Sequence, residues 1–583
     1  MCAAFNATQN TDWDSGVRPS LSAGKATPIS IELERGTLFG WYHPPRCRSP
    51  AHQAVLLFNP VGWEGLACYR AYRHWAERLA AVGFPVLRFD YLGTGDSADG
   101  DAHEPKVASW LASARAAAAE LRSRSGRDAL VLAGVHFGAT LAALASEVVG
   151  GVESLVLLGP LVRGRDYVRQ ARAYALLNAA NDSPGSPADG DAGVEVAGFH
   201  VNPATLAEME AIDLRTLTVR GARSLVLSRD ETSREDELVA AWQARGVAAE
   251  LRRIRGYHEL VQKPSRSLTP GAIFQAAEDF LLTGLPAPSP GRAPAREARP
   301  AVRESARRYR ESALSFGANG RLFGVLTEPV RAEEASSERP VLVILPTSSH
   351  HRVGPNRMYV PLARELAERG FTSFRIDLTG GGDSPASSSV RDGQAYAEEF
   401  VADARAAMDH LAESVGSKRF VLLGLCSGAL LAFQTTSVDP RVVGEVLVSQ
   451  QVWNLSDVPS DTRFERVKQR ATASLTHAVR RTGLAFDTGR VDVGASLRDA
   501  LGRGVEVLLI YGAQDPGLAR FRAEAARELA HLTVSPRFAL ALLDGVDRTF
   551  TALRSQRLFH GVVMDYMLRR FAREGVRPCA SGG

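Results

Sequence analysis

The chain has 583 residues, of which 45% are hydrophobic and 23% charged, as in ordinary soluble globular proteins. This composition excludes a wholly disordered, collagen-like or coiled-coil chain. The net charge of +4 comes from 69 basic and 65 acidic residues, too balanced to indicate a nucleic-acid-binding or membrane-binding surface. At roughly 150 to 250 residues per domain, the length allows two to four domains.

The N-terminal segment has neither the basic start nor the apolar core of a secretory signal, and residues 1–25 resemble a loose arm. No run of about 18 apolar residues predicts a membrane span. The cysteines, at positions 2, 47, 68, 426 and 579, form no C-x-x-C pair, so neither disulfides nor a zinc site is predicted. We expect a cytoplasmic protein.

Short apolar runs alternate along the chain with Ala/Leu/Arg-rich stretches of helical period. Continuous apolar strands favour a parallel sheet covered on both faces. The predicted strands are 55–58, 86–89, 130–133, 154–158 and 224–227, then 341–345, 373–376, 420–423, 445–448 and 507–511. The predicted helices include 70–82, 108–122, 358–369 and 395–415. A hairpin precedes each predicted sheet. It turns near Gly36 in the first half and near Gly320 in the second.

One long internal repeat divides the chain. FPVLRFDYLGTGDS (84–97) matches FTSFRIDLTGGGDS (371–384), and LVLAGVHFGA (130–139) matches FVLLGLCSGA (420–429). A repeat of about 290 residues indicates a duplicated domain, because solenoid repeats span only about 20–50. We therefore predict a domain over 26–284, a Pro/Ala/Arg-rich linker over 285–302 and a second domain over 303–575. Each domain is expected to be α/β and doubly wound.

The second half contains a strand–turn–helix motif of the type that presents a nucleophile. Gly424-Leu425-Cys426-Ser427-Gly428 follows the run 420–423 and precedes an Ala/Leu helix. This is a G-x-S-x-G elbow with cysteine in the serine position. A helix N-terminus beneath a thiol favours the reactive thiolate. The competing interpretation is a buried structural cysteine between two tolerated glycines.

Both halves resemble α/β-hydrolase domains on the D-x-x-G-x-G-D-S segments and the elbows. The second half, with HHRVGPNRMYV (350–360) and GLCSGA, resembles the α/β-hydrolase-like proteins of bacterial exosortase-associated and acyl-ligase gene clusters. The resemblance implies two mostly parallel sheets with cap insertions at 159–223 and 450–504. It also implies a catalytic acid at Asp515 and an oxyanion hole formed by Ser427 and by Thr347 or Ser348.

The expected catalytic base is missing from the second half. The resemblance places histidine where this chain has Arg548, and arginine stays protonated near neutral pH. His350 and His351 lie in the loop expected to approach the nucleophile, so either is a candidate to accept its proton. A cysteine tolerates a displaced base better than a serine does, because its thiol is more acidic.

The first half shows the complementary loss. His136 occupies the nucleophile position in Gly134-Val135-His136-Phe137-Gly138, while Asp230 and His258 occupy the positions of acid and base. Imidazole is a poor substitute for an acyl-accepting serine. A space-filling His136 and a leftover pocket residue at His258 are the competing interpretations.

Three functional hypotheses follow. The first is an acyl (thio)ester hydrolase or acyltransferase with Cys426 as nucleophile, since a G-x-C-x-G elbow also occurs in polyester synthases and some acyltransferases of this fold. The second is an inactive tandem protein that binds an acyl group or carrier protein. The third is a composite site that His258 completes across the domain interface. The partner is an acyl or ester substrate, with acyl-carrier protein or coenzyme A as candidate carriers. No cofactor or metal is predicted, because no Gly-rich phosphate loop or ligand spacing is present.

Overall fold

The computed structural model describes residues 25–47, 51–179, 193–219, 223–229, 234–262, 264, 266–283, 302–304, 309–330, 339–347, 350–458 and 491–572. The predicted arm, except its last residue, and residues 285–301 of the predicted linker lie outside these ranges. Within the described part of the chain, no helix is both long and apolar enough to cross a membrane.

The first half builds one large sheet in the order β1-β2-β4-β3-β5-β6-β9-β10, parallel from β4 to β10. The strands of the first half are β1 (Thr27–Leu33), β2 (Gly36–His43), β3 (Gln53–Phe58), β4 (Val86–Phe89), β5 (Ala129–Val135), β6 (Val152–Leu158), β7 (Val194–Val196), β8 (Phe199–Val201), β9 (Arg223–Ser228) and β10 (Ala249–Arg253). Strands β7 and β8 pair with each other in a separate hairpin. Its helices are α1 (Trp63–Ala81), α2 (Lys106–Ser125), α3 (Phe137–Val149), α4 (Gly164–Ala179), α5 (Pro203–Ala211), α6 (Glu235–Gln243), α7 (Tyr257–Leu260) and α8 (Gly271–Leu282).

The second half repeats this plan in the order β11-β12-β13-β15-β14-β16-β17-β18-β19. Its strands are β11 (Val302–Glu304), β12 (Tyr309–Phe316), β13 (Leu322–Pro329), β14 (Val341–Leu345), β15 (Ser373–Asp377), β16 (Phe420–Leu425), β17 (Val442–Val448), β18 (Glu506–Gly512) and β19 (Phe538–Leu543). Its helices are α9 (Tyr359–Glu368), α10 (Glu399–Ser414), α11 (Ser427–Val438), α12 (Val493–Gly502), α13 (Pro516–Glu524), α14 (Leu529–Val534) and α15 (Leu553–Phe571).

The predicted fold of two α/β-hydrolase domains is confirmed. Helices α1 and α8 pack on one face of the first sheet, and α2, α3 and α6 pack on the other. In the second half, α9 and α15 cover one face, and α10, α11 and α12 cover the other. The central strands are buried on both faces, which explains their continuous apolar sequences.

Several element boundaries differ from the predictions. Helix α1 begins at Trp63 rather than residue 70, because Gly62 at a φ of 68° turns the chain into the helix early. Strand β11 begins at Val302, inside the predicted linker. The first cap insertion contains helices α4 and α5 but also the short hairpin β7–β8, which no sequence signal indicated. Of the second insertion, the structure describes 450–458 and 491–504.

Equivalent segments of the two halves contact each other reciprocally. Arg88 Nη2 lies 2.8 Å from Asp383 Oδ1, and Arg375 Nη1 lies 2.6 Å from Asp96 Oδ1. These aspartates belong to the two D-x-x-G-x-G-D-S turns, and each arginine lies in the strand that leads into its own turn. Reciprocal pairing of this kind is what a twofold relation between two similar surfaces produces.

A third arginine breaks the symmetry of this interface. Arg352 is fully buried and reaches both turns, with Nε 2.8 Å from Asp96 Oδ2 and Nη1 2.8 Å from Asp383 Oδ2. Tyr69 of helix α1 donates a hydrogen bond to the same Asp383. An apolar cluster of Phe39, Trp41, Phe323 and Val325 lies beside the ion pairs. Since buried charges are tolerated only when paired, this network holds the two halves in one arrangement.

We predict that Asp96→Ala destabilises the protein by about 3–5 kcal/mol, because it removes one carboxylate partner from each of two buried guanidinium groups, those of Arg352 and Arg375. Denaturant unfolding measures the change. Glu104→Ala is the matched control, because Glu104 pairs with the exposed Arg35, and its removal should cost no more than about 1 kcal/mol. Equal shifts in the two variants would contradict a stabilising role for the network.

A buried glutamate in strand β17 makes stability depend on pH. Burial raises the pKa of Glu445 from its ordinary 4.5 to about 7. As pH rises from 4.5 to 7, the Glu445 carboxyl ionises in the unfolded chain before it ionises in the folded protein. The contribution of Glu445 to stability is therefore fully present below pH 4.5 and is lost as pH rises to 7. The difference between the two pKa values corresponds to about 3 kcal/mol in the free energy of unfolding. We predict that Glu445→Gln matches the parent at pH 4 and unfolds at higher denaturant concentration at pH 8; parallel pH profiles would contradict this.

Candidate active site

The nucleophile elbow of the second half lies between β16 and α11. Cys426 has a φ of 55°, its amide donates to the Val448 carbonyl at 2.9 Å, and its own carbonyl accepts from Ala429. The residue is partly exposed, and helix α11 begins at the next residue. The thiol therefore lies at the N-terminal end of helix α11.

The two glycines of the elbow are sterically required. A Cβ on Gly424 would lie 2.0 Å from the Gly428 carbonyl oxygen, and one on Gly428 would lie 2.7 Å from the Leu345 oxygen. The second contact also shows that the loop after β14 passes directly beside the elbow. That loop carries Thr347 and His350.

Two tyrosines that sequence analysis did not identify lie at the thiol. Burial and the proximity of the Cys426 thiol raise the pKa of Tyr396. Burial and the proximity of Cys426 also raise the pKa of Tyr359, whose buried hydroxyl has no hydrogen-bond partner within the described residues. The repeat offers a signal for Tyr359, because Tyr72 is its equivalent 287 residues earlier. No signal distinguishes Tyr396.

The predicted acid Asp515 follows β18 and caps helix α13. Its Oδ1 accepts hydrogen bonds from the Gly517 amide at 2.8 Å and from Gln451 Nε2 at 2.6 Å. The other oxygen, Oδ2, is buried and has no hydrogen-bond partner among the residues described. The carboxylate is thus held at the carboxyl end of the sheet, with one acceptor available.

The two candidate bases lie in different surroundings. The His351 ring stacks on Tyr69 at 3.7 Å in the domain interface. Burial and Arg352 lower the pKa of His351 to about 3. The Nδ1 of His350 lies 3.2 Å from the Thr347 carbonyl, and burial lowers the pKa of His350 to about 4. Since a carbonyl only accepts, Nδ1 of the neutral ring carries the hydrogen and Nε2 carries the lone pair.

Arg548 lies in the loop between β19 and α15, as the sequence predicts. It is exposed, and its charge acts on the phenol of Tyr396. The loop is fixed by Asp547, whose carboxylate accepts from the Thr551 amide at 2.6 Å and from the Thr549 hydroxyl at 2.7 Å. A cation that acts on Tyr396 therefore stands where the resemblance implied a base.

The oxyanion candidates and the first-half acid are only partly described. Ser427 and Thr347 are buried on either side of the elbow, and Thr347 accepts from the His350 amide at 3.0 Å. Ser348 and Asp230 lie outside the described residues. For all of these positions, the catalytic roles stay predictions.

The first half repeats the elbow but surrounds it differently. His136 has a φ of 54°, and its Nδ1 lies 3.9 Å from Glu64 Oε1. The rings of Tyr167 and Tyr257 flank it at 5.9 and 6.5 Å. Burial lowers the pKa of His136. His258 follows Tyr257 as an exposed residue, and its catalytic role stays a prediction.

A family model described as serine aminopeptidase, S33, matches residues 64–281 and again 349–556. The two matches cover well over half of the chain. The chain belongs to this family. Membership of this hydrolase family favours an enzyme of the hydrolase class. The serine of the family's description is absent from the nucleophile position of both elbows, which Cys426 and His136 occupy.

Solved structures match one half of this S33-family chain at a time. Est1E from Butyrivibrio proteoclasticus, solved with ferulic acid, is 16% identical, with 44% of this chain and 98% of that chain covered and a TM-score of 0.35. The Pyrococcus furiosus esterase Pf2001 is 16% identical, with 46% and 91% covered and a TM-score of 0.30. The lidless serine hydrolase XC6422 from Xanthomonas campestris is 17% identical, with 47% and 100% covered and a TM-score of 0.28. Among curated protein sequences, none matches this chain.

The position of His350 in the loop after β14 predicts an unusually low pKa for its ring. We expect the His350 ring to titrate near pH 4 in an NMR titration of the histidine ring protons, with His350→Gln assigning the signal. Because the folded pKa lies below the ordinary 6.5, His350 contributes instability that grows as pH falls below 6.5. A His350 midpoint near 6.5 would contradict the burial of this ring.

Proposed function

We propose that the second half is an acyl (thio)ester hydrolase or acyltransferase that forms an acyl-enzyme on Cys426. The observation that carries the proposal is the geometry of this thiol. Cys426 is partly exposed on a positive-φ elbow, at the start of helix α11 and close to the Tyr396 phenol. A structural cysteine needs neither this backbone conformation nor this access.

The chemistry is a two-step acyl transfer. Cys426 Sγ attacks the carbonyl carbon of the donor, and its proton passes to His350 Nε2 and then to the leaving thiolate or alkoxide. The Sγ–acyl bond forms as the donor's C–S or C–O bond breaks. Water or an alcohol then attacks the thioester, giving an acid or an ester and restoring the thiol. Covalent catalysis of this kind divides one difficult step into two.

The surrounding groups have distinct roles in this scheme. The amide of Ser427 and the loop at Thr347 supply hydrogen bonds to the oxyanion, since both flank the elbow. The lowered pKa of His350 keeps its imidazole neutral near pH 7, so Nε2 holds a lone pair, but the same shift makes it a weaker base than an ordinary histidine. Asp515 contributes a fixed negative charge at the same end of the sheet.

A binding protein without catalysis is the second candidate function. It is favoured by Arg548, because a protonated guanidinium stands where a base is expected and removes no proton. The two candidates differ in one observable, the covalent acyl-enzyme. A pocket that only binds an acyl group leaves the mass of the protein unchanged.

We predict that an activated acyl thioester adds one acyl group to the protein, seen by intact-mass spectrometry and mapped to Cys426. Cys426→Ala should abolish the adduct. Cys47→Ala is the matched control, because Cys47 is also a partly exposed cysteine, and this variant should acylate like the parent. His350→Gln should slow acylation by roughly 10²- to 10⁴-fold, the usual contribution of a positioned base.

The same experiment decides between the candidate functions. If acyl donors from two to sixteen carbons leave no adduct, the acyl-enzyme proposal is wrong and the binding function gains support. An adduct that persists in Cys426→Ala would also overturn the proposal, because the reactive thiol would then lie elsewhere.

A further inference from the structure

A hairpin of the first half docks on the Arg548 loop of the second half. The hairpin, β7–β8, spans Val194–Val201. Glu195 Oε1 accepts a hydrogen bond from the Leu553 amide at 3.0 Å, which caps the start of helix α15. The Gly198 carbonyl accepts from Gln556 Nε2 at 3.3 Å. Both contacts join residues 358 positions apart in the chain.

The docking is sterically close at the tip of the hairpin. Gly198 has a φ of 82°, and a Cβ there would lie 2.1 Å from the Thr551 carbonyl oxygen. That carbonyl also accepts from Gln556 Nε2 at 3.0 Å and from Asn356 Nδ2 at 3.3 Å. Only glycine fits this approach. The hairpin therefore fixes the C-terminal end of the Arg548 loop. Hydrogen bonds to the Asp547 carboxylate hold the rest of this loop.

Arg548 is the exposed cation that this fixed loop carries. It has no carboxylate partner among the described residues, although surface arginines of this chain commonly have one, as Arg569 does with Asp565. The loop lies against the end of β18, because a Cβ on Gly512 would lie 2.8 Å from the Val546 oxygen. Arg548 thus stands at the carboxyl edge of the sheet, the edge at which Cys426 is presented.

We propose that Arg548, held in place by the hairpin of the first half, binds an anionic group of the acyl donor, a carboxylate or a phosphate. A guanidinium is suited to both, because its planar donors match paired oxygens. The inference deepens the proposed function and rests on Cys426 as the site of acylation. It also assigns Glu195 and Gly198 of the first half as positioning residues for specificity in the second.

Two alkylating reagents test whether Arg548 attracts an anion to Cys426, and neither reaction requires catalysis. Iodoacetate is anionic and iodoacetamide is neutral, and they have nearly the same size. The rate of Cys426 alkylation is followed by peptide mass mapping, and the ratio of the iodoacetate rate to the iodoacetamide rate is compared between variants. We expect Arg548→Gln to lower this ratio about 10-fold and Arg548→Lys to keep most of it.

The matched control is Arg569→Gln. Arg569 is exposed at the far end of helix α15, about 24 Å from Leu553 at 1.5 Å per residue, and its loss should leave the ratio unchanged. Gly198→Ala and Glu195→Ala should lower the ratio several-fold while the thermal unfolding midpoint stays near that of the parent. Either hairpin variant that folds is sufficient for this comparison.

Three acyl donors identify the anion. They are the butyryl and succinyl thioesters of N-acetylcysteamine and butyryl phosphopantetheine. Faster acylation by succinyl indicates a carboxylate on the acyl group, and faster acylation by the phosphopantetheine thioester indicates a phosphate on the carrier. Arg548→Gln should lower about 10-fold the ratio of kcat/KM for the preferred anionic donor to kcat/KM for the butyryl thioester of N-acetylcysteamine.

The outcomes separate this inference from the proposed function. If the alkylation ratio falls in Arg548→Gln but no donor acylates Cys426, the cation site stands and the acyl-enzyme is wrong. If the ratio is the same in Arg548→Gln and in the parent, the recognition proposal is overturned. If Arg548→Gln lowers the ratio but neither folded hairpin variant does, the positioning role of the first half is overturned.

Discussion

The buried ion pairs between the two halves are the constraint on which the rest of the structure depends. Arg88 and Arg375 each reach the aspartate of the opposite half, and Arg352 joins both aspartates. Taking five charges out of water is unfavourable unless every one is paired, so the arrangement exists only when the halves are docked. Because Arg352 closely follows the loop after β14, the same network anchors the segment that carries His350.

The duplication has diverged at the sites rather than in the scaffold. In the first half, the Tyr72 hydroxyl donates to the Phe58 carbonyl at 2.7 Å and accepts from the Val135 amide at 2.8 Å, so it supports the elbow. Its equivalent Tyr359 has no hydrogen-bond partner within the described residues and lies near Cys426. The hydroxyl of Tyr72 thus supports its elbow through two hydrogen bonds, whereas that of Tyr359 is buried beside the other elbow without such a bond among the described residues.

The sequence was sufficient for the features that depend on local pattern. The strand 341–345 was predicted with its observed bounds, because a buried parallel strand is apolar throughout. Cys426 was predicted at an elbow, because the flanking glycines avoid backbone atoms at 2.0 and 2.7 Å. The partners of His351, the phenol of Tyr396 and the hairpin at Gly198 were not predicted. Each depends on residues brought together from distant parts of the chain, for which one sequence carries no local signal.

The loss of a nucleophile from the first half does not make that half dispensable. Its turn at Asp96 neutralises Arg352 and Arg375, and its hairpin caps helix α15 next to the Arg548 loop. These contacts fall on the two loops that flank Cys426, one after β14 and one after β19. A single hydrolase domain must stabilise such loops with its own cap. Here a second copy of the fold supplies the support, so the second site depends on the interface with the first half.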